Sequence, residues 1–135
     1  MVFALHPRLS AGAFALEDLD LCAALLKDDS RWPWLILVPR IDGAREWHDL
    51  DVVQVEALAC EIAAASQAIA DLDGVAKVNV GALGNQVEQL HVHIVGRWPG
   101  DPAWPDPVWG KTGKIAYAPE EAAALAGRIG LRLRE

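Results

Sequence analysis

The sequence predicts an α+β fold, an antiparallel sheet with one long helix across it and a second helix at the C-terminus. Three observations predict it. One segment near the middle has helical periodicity, short apolar runs bounded by turn residues lie on both sides of it, and a proline-rich stretch precedes a helical tail. A chain of 135 residues closes one core, so it reads as a single domain over 1–135.

In order along the chain, Ala13–Leu19 and Leu21–Leu26 read as a hairpin turning at Asp20, although the second run also suits a short helix. Trp34-Leu35-Ile36-Leu37-Val38 lies between Pro33 and Pro39, which suits a strand buried on both faces. From Asp51 to Asp73 the residues Val55, Leu58, Ile62, Ala65, Ile69 and Leu72 recur at spacings of three and four, as on one face of a helix. Asp51 and Gln54 fit a capping box, and Gly74 fits the stop. Ala76–Ala82 and Gln89–Arg97 read as further strands around a turn at Gly84-Asn85. Trp98–Gly113, with four prolines and three tryptophans, reads as a loop. Pro119 then opens a helix over Glu120–Arg134.

Composition narrows the function. No run approaches the roughly 18 apolar residues of a membrane span, and the start, Met1 to Pro7, lacks the pattern of a secretory signal. Cys22 and Cys60 form no Cys-x-x-Cys pair and read as reduced core thiols of a cytoplasmic protein. Net charge is −7, with 12 Lys and Arg against 19 Asp and Glu. The nearest approach to a basic cluster is Arg128, Arg132 and Arg134, so neither nucleic acid nor membrane is expected as a partner. A phosphate ligand would be held by a few local groups.

The chemistry concentrates in Gln89-Leu90-His91-Val92-His93-Ile94-Val95. On a strand, Leu90, Val92 and Ile94 face one way, and Gln89, His91 and His93 face the other. Such a strip reads in three ways: a solvated strand face, two ligands of a zinc site, or nucleophilic catalysis on phosphorus. His6, His48 and the carboxylates offer no patterned third metal ligand, so neither a metal nor a cofactor is expected.

With Asn79-Val80-Gly81 and Gly84-Asn85-Gln86 ahead of it, this segment resembles the motif region of the histidine-triad (HIT) family. Leu35–Pro39 and His48-Asp49-Leu50 extend the likeness over residues 13–97, leaving the loop and helix of 98–135 as an addition. The tail Asp101–Pro105 with Pro107–Gly110 is similar to a bacterial subgroup akin to diadenosine polyphosphate hydrolases. The resemblance implies a homodimeric hydrolase or nucleotidyl transferase whose two sheets join into one of ten strands. His91 would be the nucleophile toward the α-phosphorus of a nucleoside phosphate derivative, and His93 would hold the phosphate oxygens. Gln89 stands where the family has its first histidine and can donate a hydrogen bond, but it carries no proton at neutral pH. Gln86 and Asn85 would face the phosphate, Asn79 the bridging oxygen and Asp28 the ribose hydroxyls. Trp34 stands where many family hydrolases have a further histidine. Two other readings stay open, a nucleotide-binding protein with vestigial chemistry and a zinc-dependent hydrolase. Trp98, Trp104 and Trp109 suit either stacking on a base or, preferably, covering a dimer interface.

Overall fold

Five strands form one antiparallel sheet in the order β1-β2-β3-β5-β4. They are β1 (Ala13–Ala15), β2 (Cys22–Lys27), β3 (Trp34–Pro39), β4 (Lys77–Gly81) and β5 (Val92–Arg97). The computed structural model describes residues 2–134; Met1 and Glu135, the ends of the expected domain, lie outside the described residues.

The hairpin forms as expected, but β1 is shorter than its sequence run. Beyond Ala15 the connection is held by Leu16 N–H to the Ala24 carbonyl and Leu19 N–H to the Cys22 carbonyl. The second run is a strand, paired along β3 from Cys22–Pro39 to Leu26–Leu35. β3 is buried at every position, as its unbroken apolar run requires.

The long helix is α2 (Val52–Ala70). Asp51 accepts from the Gln54 backbone N–H, and the Gln54 side chain returns a bond to the Asp51 N–H. Leu58, Ala65, Ala68 and Ile69 are its buried residues. They pack with Leu35, Leu37, Val92 and Ile94 on one face of the sheet, joined by Leu125 and Ile129 of α3 (Pro119–Leu133). Contact is close at Gly96, where an added Cβ would lie 2.9 Å from Ile69 and 2.7 Å from Pro33. Cys60 departs from the sequence reading: it is exposed, about 200° around the helix from Leu58. Val52, Val53, Ala59, Ala63 and Ala64 share its exposure. By length and composition α2 could cross a membrane; here four of its residues are buried in the core.

The other sheet face is covered differently. Leu25, Trp34, Ile36, Val38 and Val95 pack there against Leu9, Trp32 and Val108. Leu9 belongs to α1 (Pro7–Ala11), a short helix the periodicity did not reveal, and Val108 to the proline-rich loop. That loop is stapled by Arg97, whose guanidinium is buried against Asp101 at 2.7 Å. Burial works against the Asp101 charge, but Arg97 and the N–H groups of Ala103 and Trp98 hold the carboxyl well below the usual range. Arg97 also donates to Asn79 Oδ1 at 2.8 Å and to the Asp106 carbonyl at 2.8 Å. At its far side the loop is held by Arg31 on the Thr112 carbonyl and by Tyr117 N–H on Asp28.

Candidate active site

β5 begins at Val92, not at Gln89. The β3–β5 ladder ends at the Leu37–Val92 pair, and the Leu90 N–H bonds to the Ala44 carbonyl at 3.0 Å. Leu90, Val92 and Ile94 still join the helix-side core, and His93 enters the opposite face beside Ile36. His91 sits just ahead of the strand, its ring 4.9 Å from that of His93 in an edge-to-face arrangement. The strip is not a solvated face. His91 is 6% and His93 9% exposed.

Each imidazole has one ring nitrogen whose role is fixed by its partner. His91 Nδ1 lies 2.7 Å from the Gln89 carbonyl. A carbonyl only accepts, so Nδ1 carries a hydrogen, and the neutral ring has its lone pair on Nε2. His93 is the opposite case: Nδ1 accepts from the Trp34 indole N–H at 2.9 Å. An indole only donates, so the His93 hydrogen resides on Nε2. Burial, then the nearby His91 and the Lys27 ammonium, push the His93 pKa down from 6.5 to about 3. One ring is thereby set to attack and the other to donate. Trp34 is what defines His93.

Both histidines line a cavity of about 590 Å³. Its floor is Trp34 and Ile36, and one wall is the Gly84–Val87 turn, with Asn85 and Gln86. The loop also lines it, and there Trp109 lies 5.8 Å from His93 between ring centres. Gly81 makes room for this indole, since a Cβ there would lie 2.9 Å from it. Trp109 therefore packs inside its own chain, beside the histidine.

Of the other expected residues, Gln86 and Asn85 reach the cavity, and Gln86 lies 3.5 Å from an Arg8 nitrogen. Gln89 does not line it. Its amide accepts from the His6 N–H at 2.8 Å and donates to the Ala4 carbonyl at 2.9 Å, which anchors the N-terminal segment. The Asn79 carbonyl is spent on Arg97, and Asp28 lies outside the cavity on the Tyr117 backbone. The acid that lines the cavity is its neighbour Asp29, bound by Arg31 through both oxygens. Among the described residues, no three His, Cys, Asp or Glu side chains gather as a metal-binding group.

Sequence reading missed the cations. Arg8, Lys27, Arg31, Lys111 and Lys114 all line the cavity. They come from α1, the end of β2, the turn after it and the loop, so no local run announces them. The motif on β5 is the part whose spacing can be compared with known proteins. A profile of the HIT domain matches residues 9–100.

The chain belongs to the HIT domain family. Members of this family are nucleotide-binding hydrolases or transferases. Among solved structures, a histidine triad protein from Marinobacter aquaeolei VT8 is 44% identical, with a TM-score of 0.96 over 99% of this chain and 98% of that one. One from Bradyrhizobium japonicum is 40% identical, with a TM-score of 0.95 over 98% and 99% of the two chains. A third, from Sinorhizobium meliloti 1021, is 39% identical, with a TM-score of 0.94 over 96% of each. No curated protein matches. These likenesses run the length of the chain, so the loop after the HIT motif belongs to the shared fold.

Proposed function

We propose that the protein is a nucleotide hydrolase or nucleotidyl transferase acting on nucleoside phosphate derivatives, such as dinucleoside polyphosphates and nucleotide phosphoramidates. The observation that carries this reading is the His91 Nδ1 contact with the Gln89 carbonyl, which leaves the Nε2 lone pair free. In the first step that lone pair attacks the α-phosphorus. A P–N bond forms, the bond to the leaving group breaks, and its electron pair departs with that group. Water or another acceptor then attacks the phosphorus, and the P–N electron pair returns to His91. His93, through Nε2–H, donates to a non-bridging oxygen as charge develops there. Backbone N–H groups of the Gly84–Gln86 turn are suited to the same oxygens.

The test is a single turnover with substrate labelled in the nucleotide, quenched in denaturant. Label on the protein that acid releases, absent from His91→Ala, is the expected result. A folded His91→Ala protein with undiminished turnover overturns the assignment. Nucleotide binding with no label and no turnover in the native protein favours the vestigial reading instead.

We also propose a twofold homodimer formed through α2 and β4. Val52, Val53, Ala59 and Cys60 are exposed on α2, and on the edge strand Val80 is 47% exposed. An unpaired strand edge beside an apolar helix face is a surface that a second copy covers. Light scattering at micromolar concentration should give twice the chain mass. A monomer there sinks the dimer, and a dimer unaffected by Val53→Lys with Val80→Lys sinks its placement on α2 and β4.

A further inference from the structure

The cavity contains more positive charge than one phosphate needs. Five of the chain's 12 Lys and Arg residues line it, with a single carboxylate, Asp29, of the 19 Asp and Glu. Arg31 is committed: it binds Asp29 at 3.0 and 2.8 Å and the Thr112 carbonyl at 2.7 Å. Asp29 is therefore paired with Arg31, and the cavity lining holds no second carboxylate for Arg8, Lys27, Lys111 and Lys114. Lys27 is half-buried, lies 5.0 Å over the Trp34 ring and has no carboxylate within ion-pairing distance among the described residues. Lys111 and Lys114 reach the same cavity from the loop. Burial, and then the Lys114 ammonium, lower the Lys27 pKa, and the Asp29 and Asp28 carboxylates oppose them only in part. A concave site with five cations and one carboxylate, in a chain of net charge −7, focuses positive potential on its ligand.

We infer that Lys27, Lys111 and Lys114 form a second anion subsite beside His91 and His93, which takes a further phosphate of the same substrate. The inference deepens the function proposed above and rests on it for turnover. Its consequence is a preference within the two substrate classes. A dinucleoside polyphosphate fills both subsites, whereas a nucleotide phosphoramidate with an uncharged leaving group fills one.

Binding is measured first, by calorimetry with inorganic triphosphate and orthophosphate on the full chain. Triphosphate should bind at least tenfold tighter than orthophosphate, about the effect of one added charge-assisted hydrogen bond. Lys27→Met, and separately Lys111→Met with Lys114→Met, should each remove most of that difference, while Lys77→Met on β4 should not. The double variant lies in exposed loop positions, so it keeps the test open should Lys27→Met fail to fold. Equal affinity for the two anions, or triphosphate affinity unmoved by the cavity substitutions, overturns the subsite. In turnover, the ratio of kcat/KM for dinucleoside polyphosphate over phosphoramidate should fall about tenfold in the same variants. An unchanged ratio overturns the substrate preference. Lysine-dependent triphosphate binding in a native protein that turns over neither substrate would support the subsite and remove the phosphorus chemistry, so the two failures are distinguishable.

Discussion

The two faces of the sheet are closed by different means. On one, α2 and α3 lay apolar side chains onto Leu35, Leu37, Val92 and Ile94, and the Glu61 carboxylate of α2 accepts from the Leu21 and Cys22 N–H groups at the start of β2. On the other, a loop without regular structure is held down by Arg97 and Asp101, side chains 1% and 0% exposed, and by tryptophans around the two histidines. The first face is stabilised mainly by area, whereas the second adds a buried ion pair to a smaller apolar cluster. A face held by area tolerates gradual change; one held by pairings loses its function when a single partner is removed.

The largest expected effect breaks that second closure. Asp101→Asn leaves a buried guanidinium without its counter-charge and should cost about 3–5 kcal/mol, read from urea unfolding. Leu58→Ala on the other face should cost about 2–5 kcal/mol. The comparison sharpens on activity measured below both transitions. Asp101→Asn should lose turnover as the loop carrying Trp109 loosens, whereas Leu58→Ala should retain it. Equal retention in both would mean that the staple does not position the cavity wall.

Next is Trp34→Phe, which keeps the packing but removes the donor to His93 Nδ1. Imidazole ¹⁵N spectra should show the Nε2–H form giving way to a mixture, with kcat down about tenfold, the worth of one buried hydrogen bond. Spectra identical to the native ones would show that the indole does not set the tautomer.

A smaller effect follows from the pKa of His93. Folded, it titrates near 3; unfolded, near 6.5. The unfolded chain therefore binds a proton that the native protein does not, so this contribution is full above pH 6.5 and declines as the pH falls toward 3. Urea midpoints for native and His93→Gln proteins should diverge at neutral pH and converge on acidification. A constant gap between them would rule out a neutral, buried His93 as the cause.

The smallest effect concerns Gln89→His. Because the Gln89 amide is bonded to the backbone at Ala4 and His6, the substitution should loosen the N-terminal segment and leave the dependence of rate on leaving-group pKa parallel to that of the native protein. A shallower slope would place the new imidazole in leaving-group departure.

The helix-covered face was legible because its code is local. Period-two alternation at Leu90, Val92 and Ile94 and the spacing of Leu58, Ala65 and Ile69 each lie within one element. The positions of His91 and His93 in the motif were legible for the same reason. Their tautomers depend on the Gln89 carbonyl and on Trp34, the latter 59 residues away from His93, and no short-range pattern encodes such a contact. Asp28 and Asp29 show the limit at single-residue scale: adjacent in sequence, they point to Tyr117 and to the cavity respectively. Gln89 was read onto the cavity by strand alternation, but the ladder ends before it, so alternation no longer governs its direction.

The loop that forms the cavity wall is tethered twice, by Arg97 with Asp101 at its start and by Arg31 and Asp28 on the turn between β2 and β3 at its end. Between these tethers runs the stretch bearing Trp109 and Lys111, with Lys114 just past Thr112. Such an arrangement makes the wall an exchangeable cassette. Residues between the fixed points can be lengthened, shortened or recharged while the sheet and its histidines keep their places. Variation in what related chains accept would then be concentrated in a dozen or so positions outside the strand that carries the chemistry, and directed evolution of this protein has its natural target there.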